Sequence, residues 1–222
     1  MDGNGRWATK RGLGRSHGHR AGSEAVRTIV AEARTLGIEY LTLYTFSQEN
    51  WNRPKNEVTF LFELLVEFLT REIPDLERQH IALNVLGDMA ALPAPARLAL
   101  NHAIKRTAAP EGQKPAMTLN LALNYSGRNE IVRACQALLQ SGIPVNELDE
   151  DCISRHLYTA GQPDPDLVIR TSGEIRISNF LLFQCAYSEF YFTDTLWPDF
   201  GPDHLREALA TFANRSRRFG RV

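Results

Sequence analysis

Thr118-Leu119-Asn120-Leu121-Ala122-Leu123, followed at once by Asn124-Tyr125-Ser126-Gly127-Arg128, decides the reading of the fold. The first six residues are short, mostly apolar and uncharged, and turn formers bound them, as in a strand buried on both faces. Residues 127–140 then take up a helical pattern, and a strand running into a helix is half of a βαβ unit. The same alternation extends outward in both directions. Strands are expected at 40–46, 81–86, 118–123, 167–170 and 189–192. Helices are expected at 22–36, 56–78, 95–107, 127–140, 147–157 and 203–217. In the first helix, Val26, Ile29, Val30 and Ala33 recur at three- and four-residue spacing, and Gly37 stands where a C-terminal cap belongs. Strands alternating with helices predict an α/β fold with a central, mostly parallel sheet flanked by helices.

Composition narrows the function. A chain of 222 residues with 43% hydrophobic and 23% charged residues suits one globular domain, read here as 1–222. A net charge of −1 gives no global field to recruit nucleic acid. Cys135, Cys152 and Cys185 form no CxxC pair, which argues against a zinc knuckle and fits a reducing cytoplasm. No signal peptide is visible, and no apolar run nears the roughly 20 residues a spanning helix needs, so a soluble protein is expected. Met1-Asp2-Gly3-Asn4-Gly5 reads as a loop following a strand, which implies a first strand missing upstream of Met1.

In open α/β sheets, ligands bind beyond the C-terminal ends of the strands. Those ends carry Ser47-Gln48-Glu49-Asn50-Trp51-Asn52-Arg53, Gly87-Asp88, Asn124 through Arg128, and Arg170 through Arg176. Arginines converging there suit a phosphate-like substrate. The first twenty residues add Arg6, Lys10, Arg11, Arg15, Arg20, His17 and His19, with Asp2 as the lone acid. A helix starting near Gly22 would aim its positive end at the same place. A solvated basic loop is the plain alternative. Gly3-Asn4-Gly5-Arg6-Trp7-Ala8 also fits a dinucleotide fingerprint, but it lacks the strand context, and Glu39 lies at the wrong end of its strand. Between Val58 and Leu69 nine of twelve residues are apolar, more than one buried stripe requires.

Met1 through Ala8, Gly18-His19-Arg20-Ala21-Gly22, Phe46 through Pro54, Asn124 through Arg128, Asp166 through Leu182 and Ala186-Tyr187-Ser188-Glu189 together resemble the signature regions of the cis-prenyltransferases, in that family's order and over nearly the whole chain. The resemblance implies an enzyme that condenses isopentenyl diphosphate repeatedly onto farnesyl diphosphate with Mg²⁺, giving a long polyprenyl diphosphate of the undecaprenyl type. It implies Asp2 and Asn50 as catalytic residues, and Asp2 with Glu189 as metal ligands. Gly3, Asn4, Gly5, Arg6, Trp7, Arg15 and His19 match the cradle for the allylic diphosphate. Ser47, Asn50, Trp51 and Arg53 match a mobile loop over the reacting ends. Arg170, Arg176 and Ser178 match the isopentenyl diphosphate site. Arg218 and Gly220 match an R-x-G element that reaches a neighbouring active site in homodimers. A hydrophobic tunnel for the tail, partly walled by the 56–78 helix, follows as well. So does a cytoplasmic enzyme peripheral to the inner membrane face, handing its product to the membrane for cell-wall synthesis.

The chain departs from the family pattern at Ser126, where glycine is usual, at Ile175, where histidine or an aromatic residue is common, and at Phe183, where Trp is frequent. A noncatalytic partner subunit is the alternative, but it would have lost charged residues that stand here. A trans-prenyltransferase would be all-helical with DDxxD motifs, and none occurs.

Overall fold

A computed structural model describes residues 1–215. In chain order the elements are α1 (Asn4–Lys10), α2 (Arg15–Thr35), β1 (Tyr40–Ser47), α3 (Lys55–Arg78), β2 (Ile81–Leu86), α4 (Ala94–Thr107), β3 (Met117–Tyr125), α5 (Gly127–Ser141), α6 (Glu150–Ser154), β4 (Leu167–Arg170), β5 (Glu189–Phe192) and α7 (Pro202–Ala213). The expected α/β alternation is present, and every strand pairing is parallel. The hydrogen bonds divide the strands between a three-stranded sheet and a two-stranded one. The described residues form two compact units, one of residues 33–164 and 177–186, the other of the remainder.

In the larger unit β3 lies between β1 and β2. All its residues but Thr118 are buried, which explains its mostly apolar run. The buried Asn120 within that run is structural. Asn120 is level with Thr42 on one side and Asn84 on the other. Its amide donates to Thr42 Oγ1 (3.1 Å) and Gln162 Oε1 (2.7 Å) and accepts from Asn84 Nδ2 (2.8 Å). A polar rung thus crosses the whole sheet. α3 and α4 pack on each other and on β2. α3 buries Val58, Phe62, Leu69, Ile73 and Leu76 along one line, and Leu64 and Phe68 on a second. On the buried face of α5, Glu130 is 1% exposed and accepts from the Tyr125 hydroxyl and from Tyr158 N (2.7 Å), with Gln184 beside it. Burial, then the Glu130 charge, holds the Tyr125 phenol well above its usual range.

In the smaller unit β4 pairs with β5 from Leu167↔Glu189 to Arg170↔Phe192. α7 ties to α2 through Arg206–Glu32 (2.9 Å), and the Trp197 indole donates to Gly22 O (2.8 Å).

Three expectations are corrected. The loop read at Met1–Gly5 ends at Gly3, and Asn4–Lys10 is helical. The next helix begins at Arg15, seven residues before Gly22, so its positive end is not where that reading put it. The helix expected at 147–157 shrinks to Glu150–Ser154 after a 3-10 turn at Val145–Glu147, with Asp149 as its cap accepting from Cys152 N (2.7 Å). A seven-residue segment cannot sustain a helix by propensity, least of all with glycine at its start. Docking holds α1 instead. A Cβ at Gly18 would overlap the Asn4 carbonyl, and one at Gly22 would strike the Asn4 side chain, so two glycines one turn apart let α1 lie on α2. Trp7, at its midpoint, donates to Asp199 Oδ1 (2.7 Å). Gly37 does cap α2, at φ 74°.

Candidate active site

Asp2 is held by its backbone. Its carbonyl accepts from Thr171 Oγ1 (2.9 Å), Ser172 Oγ (2.6 Å) and Trp197 N (3.0 Å), and its N–H donates to Thr171 Oγ1 (3.1 Å). This anchors the residue to the turn after β4. Gly3, the N-cap of α1, has φ 105°, and a Cβ there would collide with the Ser172 hydroxyl, so both conformation and space demand glycine. The Asp2 side chain remains 42% exposed.

Around that carboxylate, charges alternate. Asp2 Oδ2 lies 3.2 Å from Arg170 and 3.7 Å from Arg6. Arg6 also reaches Glu174 (3.2 Å) and donates to Ser172 O (3.0 Å). Glu174 reaches Arg176 (2.5 Å), and Arg170 donates back to the Arg176 carbonyl. Three guanidinium groups and two carboxylates therefore form a closed chain at the C-terminal end of β4, where the strand-end rule placed a ligand. Arg6 comes from the motif matched to the allylic site, and Arg170 and Arg176 from the one matched to the isopentenyl site.

The other residues expected in the cradle sit as follows. Asn4 faces Gly22, with its Oδ1 buried and without a hydrogen-bond partner. Gly5 lies beneath the Arg15 guanidinium, where a Cβ would come 3.0 Å from Nη1. His19 is buried in α2. Trp7 turns toward Asp199, and Arg11 lies 4.1 Å from its ring centroid. Glu189 opens β5, three residues from the level of Arg170, roughly 10 Å along the strand, and pairs with Arg215 (2.7 Å). Asp2 and Glu189 thus stand at opposite ends of one ladder. Among the described residues no three His, Cys, Asp or Glu side chains gather as a metal cage.

The second group lies in the larger unit, after β1. Residues Gln48–Asn52 form a 3-10 turn. Asn50 Oδ1 accepts from Ser47 N (3.1 Å). Trp51 stacks on Phe62 (5.4 Å) and meets Phe46 edge-on (5.1 Å), while its indole donates to Asn124 Oδ1 (2.8 Å). Arg53 pairs with Glu57 (3.0 Å). Although partial burial opposes it, hydrogen bonds from Asn179, its own backbone and Ser47 hold the Glu49 carboxyl below its usual range. Ser178 also belongs to this unit, at φ 47°. Arg218 and Gly220 lie outside the described residues.

Three residues of these two separate groups carry no role in the sequence reading: Glu174 in the first, and Asn124 and Asn179 in the second. Glu174 had a usable signal, an acid set between two arginines in Arg170-Thr171-Ser172-Gly173-Glu174-Ile175-Arg176. The asparagines had none beyond their turn positions.

Residues 1–220 match the family described as putative undecaprenyl diphosphate synthase. An isoprenyl transferase of Clostridium tetani is 49% identical across 100% of this chain and 87% of its own length. One from Bacillus subtilis is 49% identical across 100% and 85%. The crystal structure of lavandulyl diphosphate synthase from Lavandula x intermedia, in complex with dimethylallyl diphosphate, superposes with a TM-score of 0.93 at 37% identity, covering 99% of this chain and 95% of that one. A probable undecaprenyl diphosphate synthase from Campylobacter jejuni gives 0.79 at 32% identity, covering 91% and 93%.

Proposed function

The chain belongs to the undecaprenyl diphosphate synthase family of prenyltransferases, and from that premise we propose that it adds isopentenyl diphosphate repeatedly, in cis, to farnesyl diphosphate. It is a prenyl-transferring enzyme. The product of our reading is a long polyprenyl diphosphate of the undecaprenyl class. The observation that carries it is the closed chain Asp2–Arg6–Glu174–Arg176–Arg170 beside α1.

Breaking the allylic C–O bond leaves a diphosphate anion and a carbocation. The anion needs positive charge already in place. Arg6, with the backbone amides of the first turn of α1, which have no helical acceptors, is suited to hold the allylic diphosphate. Arg170 and Arg176 are suited to fork the second diphosphate, bringing the double bond of isopentenyl diphosphate to the cation. Holding two reactants in register is worth up to ~7–11 kcal/mol in well-oriented systems.

The Asp2 carboxylate, 42% exposed and facing Arg170 and Arg6 on a residue whose backbone is anchored, fits a Mg²⁺ site that phosphate oxygens and water would complete. Bound there, the ion would neutralise the departing diphosphate. Within one chain, Glu189 is aligned with Arg215 rather than with Asp2.

A growing tail needs an apolar wall, at ~0.8 kcal/mol per buried CH₂. In the larger unit α3 offers one, since its second apolar line continues through the half-buried Phe60 and Leu61. We place the enzyme in the cytoplasm as a homodimer, releasing its product to the inner membrane face for cell-wall synthesis. No helix among the described residues is long and apolar enough to cross a membrane. Retention of Asp2, Arg6, Asn50, Arg170, Arg176 and Glu189 favours the enzyme over a noncatalytic subunit.

The test is incubation with farnesyl diphosphate, radiolabelled isopentenyl diphosphate and Mg²⁺, with and without EDTA, followed by chromatography of the lipids. A Mg²⁺-dependent ladder ending in one long product is expected. A folded protein giving no product with Mg²⁺ would overturn the reading.

A further inference from the structure

The 47–53 turn, which carries Asn50, is gripped from outside at two points. Both grips are asparagines with left-handed backbone, Asn124 at φ 48° and Asn179 at φ 62°, a conformation asparagine tolerates better than most residues. Asn124 stands near the end of β3 and is 4% exposed. Its Oδ1 accepts from the Trp51 indole (2.8 Å), and its Nδ2 donates to Asp88 O (2.9 Å) in the loop after β2. One amide thus ties together the C-terminal ends of all three strands of the sheet. Asn179 lies in the 177–186 segment. Its Nδ2 donates to Glu49 Oε1 (2.9 Å) and Ser126 Oγ (2.7 Å), its Oδ1 accepts from Arg128 N (2.9 Å), and its carbonyl accepts from Gly127 N (2.8 Å). Both amide hydrogens and the amide oxygen are used.

Between the grips, at Glu49 and Trp51, stands Asn50, whose own Oδ1 is committed to Ser47 N (3.1 Å). A short turn held at the residues before and after Asn50 has little freedom to rotate that side chain. We propose that Asn124 and Asn179 are positioning residues, a two-point latch that holds the 47–53 turn, matched above to a mobile loop, in this conformation and thereby aims Asn50. The catalytic half of this inference rests on the reading that Asn50 acts at the reacting ends of the substrates. The latch itself stands on the hydrogen bonds alone. The grips differ in kind. Trp51–Asn124 is neutral and half-buried, whereas Glu49–Asn179 is charge-assisted and exposed.

The test uses the full chain and two readouts: amide hydrogen exchange over 47–53, followed by mass spectrometry, and steady-state kinetics of condensation. Asn124→Gly and Asn179→Gly keep the left-handed backbone while deleting the amide. Each should speed exchange of the 47–53 amides about tenfold, as expected for loss of a strong hydrogen bond, and lower kcat in parallel with little change in the KM for primer. Asn179→Asp places a second carboxylate against Glu49 and should loosen the turn similarly. Adding Glu49→Gln reverses the polarity of the bond, since the amide introduced at position 49 can donate to the carboxylate introduced at position 179, and should restore both slow exchange and kcat. A pair no better than Asn179→Asp alone, or unchanged exchange in the glycine variants, would overturn the latch. Asn50→Ala serves as the comparator. If it retains full activity, the assignment of Asn50 fails and with it the catalytic half of the inference, while the exchange data still decide the latch.

Discussion

Glu174 reaches Arg6 with one carboxylate oxygen and Arg176 with the other. The residue matched to the allylic site and the one matched to the isopentenyl site are therefore pinned by a single acid. All three side chains are partly exposed, so the pairs add little to stability. Their effect is on geometry. Glu174→Gln should leave thermal stability within about 0.5 kcal/mol. It should lower kcat/KM about tenfold for both substrates, because two arginine forks lose their common reference. An effect confined to one substrate, measured by varying each in turn, would show that Glu174 does not couple them.

Asp2 separates its two jobs between backbone and side chain. The main chain holds the turn after β4, and the carboxylate faces arginines and solvent. Asp2→Ala should therefore unfold at nearly the wild-type urea midpoint while losing essentially all turnover. Near-normal activity in this variant would remove Asp2 from the proposed Mg²⁺ site.

Arg170 and Arg176 are not equivalent. Arg176 is mostly exposed and pairs only with Glu174 among the ion pairs described, whereas Arg170 is 17% exposed and also faces Asp2. Arg176→Ala should raise the KM for isopentenyl diphosphate and spare that for primer. Arg170→Ala should do the same and reduce kcat as well, since Asp2 loses its nearest cation. Equal effects on both KM values in Arg176→Ala would count against a two-site arrangement.

The glycines of α2 should rank by what they meet. At Gly18 a methyl group would meet backbone, the Asn4 carbonyl, which cannot step aside. At Gly22 it would meet the end of the Asn4 side chain. Gly18→Ala should cost ~1–3 kcal/mol in urea denaturation despite the better helix propensity of alanine, and it should lower activity by displacing α1. Gly22→Ala should cost less. The reverse order would mean that α1 is not docked through this contact.

Tyr125 sets an alkaline limit. Its pKa is raised in the folded state, so folding holds a proton that the unfolded chain releases above about pH 10. The stabilisation is complete below that pH and declines as pH rises beyond it. Tyr125→Phe should flatten this decline in denaturation midpoints measured from pH 8 to 11. It should also cost ~1–3 kcal/mol at neutral pH, because Glu130 loses a buried donor. An unchanged alkaline slope would exclude the phenol as its source.

The strands were legible because a parallel strand buried on both faces writes itself as a short apolar run, and β3 is the clearest case. The expected starts of α3 and α4 fall within one residue of the observed ones, and each helix follows a proline at its N-cap, Pro54 and Pro93. α1 was hidden because its stability resides in Gly18, Gly22 and Asp199, all distant in sequence, while its own residues argue for a loop. The division of the strands between two ladders left no trace either, since apolar runs say which residues are buried but not which strands exchange hydrogen bonds. Within the site, charged residues in long motifs were readable from the resemblance. Glu174, Asn124 and Asn179 act through neighbours that only the folded chain supplies.

The polar rung Thr42–Asn120–Asn84 acts as a proofreader of strand alignment. A one-residue slip in a sheet turns every side chain to the wrong face and is rejected by burial alone. A two-residue slip keeps each apolar side chain facing inward, so hydrophobicity cannot reject it. It would set Asn120 level with Tyr44 or Tyr40 on β1 and with Leu86 or Ala82 on β2, in place of Thr42 and Asn84. Leaving a buried amide without its cross-strand partners costs ~1–3 kcal/mol. One asparagine at the centre of β3 therefore distinguishes the correct alignment from its nearest counterfeit, and with it the level at which the three strand ends deliver Ser47, Asp88 and Asn124.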